Sequence, residues 1–131
     1  MLLREALDGH DVHFATTSRA LLEHAEIANG RELPDCNQHR IGASLRCAVE
    51  AARLLTQLRP HIVISTGAAP GLFCLAFGKL TGARTIWVDS LANAERLSLS
   101  GQLAGWVADL WLTQWRNLAR PHGPTYEGEL L

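Results

Sequence analysis

Three short segments hold the side chains best suited to chemistry. The first is Ser65-Thr66-Gly67 with Pro70 close behind, a glycine turn whose backbone N–H groups could cradle an anion at the start of a helix. The same turn occurs in many folds that bind nothing there, so Thr66 and Gly67 read as turn chemistry or as ligand contacts. The second segment, residues 89–101, crowds Asp89, Ser90, Asn93, Glu95, Arg96, Ser98, Ser100 and Gly101 into one connection. A purely structural crossover between two buried strands would not need so many polar groups. Even so, Asp89 and Ser90 also read as an N-cap and turn, and Ser98 or Ser100 as caps of a following helix. The third segment is Gln114-Trp115-Arg116, just past an apolar run.

These segments matter because of the elements between which they fall. Residues 61–66, His-Ile-Val-Ile-Ser-Thr, form a β-branched run without polar alternation, as a parallel strand covered on both faces requires, and are expected to be a central strand. Residues 84–89 and 109–113 read as second and third strands. Between the first two lies a helix from Pro70 to about Leu80 that is apolar nearly all round, and between the last two a helix is expected around residues 102–107. Upstream, residues 41–58 make a long amphipathic helix stopped by Arg59-Pro60. Residues 2–7 form a short helix before Gly9, and residues 12–16 a short strand. Residues 18–37 carry turns at Asn29-Gly30 and Leu33-Pro34 but no assignable element. Strand and helix alternating in this way imply βαβ units and a parallel sheet, hence an α/β fold. In such sheets ligands bind outside the carboxyl ends of the strands, where all three polar segments lie.

Composition narrows the function. The chain has 131 residues, one domain's length, with 12 Lys plus Arg against 13 Asp plus Glu and a net charge of -1. Lys79 is its only lysine, so there is no electrostatic footprint for nucleic acid. Cys36, Cys47 and Cys74 are far apart and form no Cys-x-x-Cys pair, and the six histidines show no ligand spacing, so neither a disulfide framework nor a metal site is expected. The stretch 60–78 lacks Asp, Glu, Lys and Arg but is broken by Gly67, Pro70 and Gly71, and reads as strand, turn and helix rather than a membrane span. No Gly-x-Gly-x-x-Gly or Walker-type loop is present, which argues against a stand-alone nucleotide-binding domain.

From Pro60 onward, Ser65-Thr66-Gly67, Asp89-Ser90, Leu97-Ser98-Leu99-Ser100-Gly101, Ala108-Asp109, Gln114-Trp115 and Tyr126-x-Gly128-x-Leu130 occur in order. This pattern resembles the membrane-recruiting subunit family of the two-part UDP-N-acetylglucosamine transferase of dolichol-linked oligosaccharide synthesis, with its bacterial exopolysaccharide-synthesis branch. The resemblance implies a Rossmann-like parallel sheet, the N-terminal, acceptor-side half of a GT-B glycosyltransferase. A separate catalytic chain would bring the nucleotide-sugar half, giving a heterodimer. The pair would move N-acetylglucosamine or a related sugar from UDP to a lipid-diphosphate-linked acceptor at the cytoplasmic face of a membrane, with peripheral membrane contact and no cofactor. Acceptor or substrate contacts would come from Thr66, Gly67, Asp89, Ser90, Asn93, Arg96, Ser98, Ser100, Gly101, Gln114 and Trp115. The alternative is a non-catalytic adaptor that recruits the catalytic chain to the membrane.

Departures from the family pattern carry their own expectations. The family commonly has Glu where Asp89 stands and Arg where Asn93 stands, so Arg96 is the nearby guanidinium left for phosphate. Its opening strand and Gly-Gly-His loop have no counterpart before the first helix, and no catalytic residue is assigned. The domain, residues 1–131, is therefore expected to be incomplete at its N-terminus, with strands 12–16 and 62–65 lying as if a strand were missing between them, or collapsed together. Trp111 reads as core. Trp106 and Trp115 are left open between core and a membrane- or partner-facing patch, and the segment from Pro121 to Leu131 reads as partner surface.

Overall fold

The computed structural model describes residues 2–36 and 39–131. Its elements in chain order are α1 (Leu2–Ala6), β1 (Phe14–Thr16), α2 (Arg19–His24), β2 (Gly30–Glu32), α3 (Ile41–Leu58), β3 (Ile62–Ser65), α4 (Ala68–Leu80), β4 (Arg84–Val88), α5 (Leu99–Ala104) and β5 (Leu110–Leu112), followed by a 3-10 turn at Arg116–Leu118. All strand pairs are parallel, in two sheets of order β1-β2 and β3-β4-β5. The fold is α/β, as the alternation of strand and helix predicts.

Among the described residues β1 pairs with β2 and β3 with β4, and no ladder joins β1 to β3. The strand order corrects the position of β3, expected to be central: within the three-stranded sheet β3 is an edge and β4 the centre. The consequence shows in burial. Thr85, Trp87 and Val88 of β4 are almost wholly enclosed, whereas Ile62 of β3 is 53% exposed. A β-branched run reports how much burial a strand can use, not where it sits in the order.

Further expectations shift. Asn29 lies in a turn as expected, but Gly30 opens β2 opposite Phe14, in a stretch to which the sequence assigns no element, and lies directly under the Leu22 side chain of α2. Asn37, the expected end of the unassigned stretch, lies outside the described residues. The helix expected around residues 102–107 is α5, three residues earlier. The Ser98 hydroxyl accepts from the Gly101 N–H at 2.9 Å and so fixes its start, while 105–107 form a turn that continues it. α4 begins two residues before Pro70, which is accommodated because the first helical N–H groups have no intrahelical acceptor.

α4 explains why its sequence is apolar on all sides: it lies between two cores. One side, through Cys74, Phe73 and Phe77, meets Ala51, Leu54 and Leu55 of α3 together with Leu33. The other, through Leu75 and Leu72, meets Trp87 of β4, Ala104 of α5 and Trp111 of β5. Its approach to the sheet is close because two positions lack side chains. A Cβ on Gly71 would collide with Ser65, and one on Gly78 would come within 2.7 Å of Val63 Cγ2. α3 ends with Arg59 in the left-handed region at φ 44, immediately before Pro60.

At the amino end of β4 and β5 the Asp109 side chain accepts the Thr85 N–H at 2.9 Å and the Lys79 ammonium at 3.1 Å. The Thr85 backbone bond first, then the Lys79 bond and the Thr85 hydroxyl, hold the Asp109 carboxyl below its usual range. A depressed native pKa means that the unfolded chain binds the proton more readily, so this stabilisation is present above the ordinary aspartate pKa and is lost as the pH falls through the depressed value. Asp109→Asn is therefore expected to lower the thermal midpoint at neutral pH. The difference from the unaltered protein should shrink on acidification, as thermal melts over a pH series would read.

The three cysteines are buried and unbridged. Burial pushes the Cys74 thiol up to about 11 from an ordinary 9.0, and burial together with a hydrogen bond to Cys36 raises that of Cys47.

Candidate functional site

Parallel strands deliver their carboxyl ends to one edge, and β3, β4 and β5 bring Thr66-Gly67, Asp89-Ser90 and Gln114-Trp115 there. The β3–α4 turn and the β4 loop touch: a Cβ on Gly67, whose φ of 133 favours glycine, would stand 3.7 Å from Ser90 Cβ. The residues singled out in the sequence thus come to one edge, but they divide into two groups with different work.

Asp89, Asn93, Ser98, Gly101, Gln114 and Trp115 form an interior network. Asp89 is 1% exposed, and its N–H donates to the Leu112 carbonyl at 2.9 Å, continuing the β4–β5 ladder by one residue. Its Oδ1 accepts the Trp87 indole N–H at 3.2 Å and the Ser98 hydroxyl at 3.3 Å, while Oδ2 accepts the Asn93 amide at 3.2 Å. Ser98 is thereby both the N-cap of α5 and a donor to Asp89. Gly101 is required where it stands, since a Cβ there would lie 2.5 Å from Asp89 Oδ1 and 3.0 Å from Ser98 Oγ. The Asp89 carbonyl accepts from Gln114 Nε2 at 3.0 Å. Trp115 closes the loop from outside, its indole donating to the Leu91 carbonyl at 3.0 Å. Every buried polar group in this set has a partner, as a stable interior demands.

Thr66, Arg96 and Ser100 form the second group. Thr66 and Arg96 are exposed and Ser100 half-buried, and among the described residues no side-chain hydrogen bond or ion pair engages them. Ser90 stands between the groups: half-buried, its hydroxyl accepts the Ala92 N–H at 3.2 Å. These residues, with Gly67, are at least partly open to solvent, as are Leu91 and Glu95 of the same loop. Among the described residues the two best-formed hollows lie elsewhere, one bounded by Arg19, Leu22 and Glu32 and the other by Arg116, Arg120 and Tyr126.

Sequence reasoning missed three participants. The Trp87 indole serves Asp89, although a strand tryptophan reads only as core. Asn117 donates to the Ala94 carbonyl at 2.9 Å, pinning the loop from a segment with no motif. The backbone of Leu130 and Leu131 reaches Gln114, a contact that no local signal announces. Trp111 is half-buried in the core cluster as expected, its indole N–H without a hydrogen-bond partner among the described residues, while Trp106 is 86% exposed. Among the described residues no three His, Cys, Asp or Glu side chains are grouped to hold a metal ion, and no helix is long and apolar enough to cross a membrane.

The parallel sheets with helices packed on them form a Rossmann-like α/β domain of the kind that makes up one half of the GT-B fold. The crystal structure of Acinetobacter baumannii MurG shares this fold, with a TM-score of 0.74 over 95% of this chain and 39% of MurG at 12% identity. Within that class, the chain belongs to the family described as "Oligosaccharide biosynthesis protein Alg14 like", whose model matches residues 8–129. A curated relative, UDP-N-acetylglucosamine transferase subunit ALG14 of Eremothecium gossypii, is 33% identical over 106 residues, covering 76% of this chain and 47% of the relative. The Yarrowia lipolytica protein of the same name is 36% identical over 78 residues, 55% of this chain and 36% of the relative. The chain thus spans half or less of the length of the curated relatives it matches.

Proposed function

We propose that the chain is the acceptor-side subunit of a heteromeric glycosyltransferase. It would hold a lipid-diphosphate-linked saccharide while a second chain brings UDP-N-acetylglucosamine or a related UDP-sugar. The observation that carries this reading is a set of polar groups in the segments that follow the carboxyl ends of β3 and β4: Thr66, Arg96 and Ser100 make no side-chain hydrogen bond or ion pair among the described residues. Two relatives named as subunits of a UDP-N-acetylglucosamine transferase support a shared active site. Transfer requires stabilisation of a leaving diphosphate and removal of a proton from the attacking hydroxyl. Arg96 suits the acceptor diphosphate, and the Gly67 turn at the start of α4 suits a phosphate oxygen. Asp89 acts by holding its loop in shape, because its carboxyl faces inward.

The same inward orientation favours a second reading, a non-catalytic adaptor that recruits the catalytic chain to the cytoplasmic face of a membrane. Peripheral contact could then come from Leu99, Leu103 and Trp106, exposed at helical spacing. The two readings part on one experiment. In a complex reconstituted with a donor-side chain, Arg96→Ala combined with Ser100→Ala is expected to lower transfer of N-acetylglucosamine to a polyprenyl-diphosphate-linked acceptor about 10- to 100-fold while the chains still co-purify. Unchanged turnover in an intact complex would leave the adaptor.

A further inference from the structure

Gln114 joins two parts of the molecule that are remote in sequence. Its side chain is buried, with Nε2 donating to the Asp89 carbonyl at 3.0 Å and Oε1 accepting the N–H groups of Leu130 at 3.1 Å and Leu131 at 3.0 Å. The orientation of the amide is fixed by chemistry. A carbonyl only accepts and a backbone N–H only donates, so turning the amide over would set donors against donors and oxygen against oxygen.

On one side of Gln114 lies the C-terminal strap. Thr125 bridges to Leu112 beside β5, its carbonyl accepting the Thr113 N–H and its own N–H donating to the Trp111 carbonyl, both at 2.9 Å. From there the strap turns over the carboxyl ends of the strands to put Leu130 and Leu131 on Gln114. On the other side, Asp89 gathers Trp87, Asn93 and Ser98 and so shapes residues 89–101, including the cap of α5. The link runs through one buried amide.

We infer that Gln114 is a positioning residue through which docking of the C-terminal strap sets the order of the 89–101 loop. The coupling is a property of this chain alone; only its use by a donor-side partner rests on the function proposed above.

The test uses the isolated chain and its indole resonances. Trp87 donates to Asp89 and so reports the loop base, Trp115 donates to Leu91 and reports the loop tip, and exposed Trp106 is the internal control. Removing Leu130 and Leu131 is expected to shift the Trp87 and Trp115 indole N–H signals and to speed amide exchange at Asn93 and Gly101 about tenfold, leaving Trp106 in place. In Gln114→Met, close in size but without hydrogen bonds, the same truncation is expected to move neither signal further. Leu131→Pro, which keeps Gln114 and deletes one strap donor, is expected to shift Trp87 in the same direction by less, and it stands as the test should Gln114→Met fail to fold. An unmoved Trp87 signal on truncation or in Leu131→Pro, or an equal shift in Gln114→Met, would overturn the coupling.

Discussion

Asp89→Ala is expected to destabilise the protein by about 3 kcal/mol, because it strands three donors that converge on one enclosed carboxyl. At this chain length that corresponds to a fall of roughly 10 °C in the thermal midpoint. Asp89→Asn should cost only about 1 kcal/mol, since the retained oxygen can serve Trp87 and Ser98 while the half-buried Asn93 amide turns to offer its own oxygen to the new amide. The contrast separates a loop-holding role from a ligand-binding one. An aspartate facing the crevice would lose activity in both variants and stability in neither, so melts of the two proteins decide between the roles without an assay of transfer.

Gly101→Ala is expected to show the larger context dependence. In an ordinary helix the change would help by about 1 kcal/mol through lower chain entropy. Here the added methyl meets Asp89 Oδ1 at 2.5 Å, and that side chain cannot retreat without releasing its own partners. Overpacking of this kind costs about 1–3 kcal/mol, so the net effect is a destabilisation of up to about 2 kcal/mol. With Asp89 already replaced by Ala, the main obstruction is gone and only the Ser98 hydroxyl remains close, at 3.0 Å, so the same substitution should become neutral or stabilising by up to about 1 kcal/mol. A double-mutant cycle by denaturant unfolding measures that change of sign. Destabilisation of the same size in both backgrounds would mean that the contact does not govern the site.

The parts of the fold legible in the sequence are those with a long or strong period. α3 announces itself by its apolar stripe and the Arg59-Pro60 stop, α4 by continuous hydrophobicity, and β3 and β4 by β-branched runs. β2 is silent because Gly-Arg-Glu alternates nothing and is held in place by pairing with β1 under Leu22. The edge position of β3 is silent because strand order is a non-local property. The loop residues of the site were legible as a polar cluster, since no crossover between buried strands needs so many such groups. Their division was not. An aspartate at a strand end reads the same whether its carboxyl faces a crevice or a tryptophan indole, and Gln114 finds its partners 16 and 17 residues away. Ser98 was the exception, because an N-cap is a local device.

The central claim is that these residues form one wall of a crevice completed by another polypeptide. The measurement that tests it most directly is the initial rate of N-acetylglucosamine transfer from UDP-N-acetylglucosamine to a polyprenyl-diphosphate-linked acceptor, taken for the purified chain alone and again with a donor-side chain. The chain alone is expected to give background, and the pair a rate at least about 10³-fold higher, since neither wall can position both reactants. Transfer by the chain alone at the rate of the pair would contradict it.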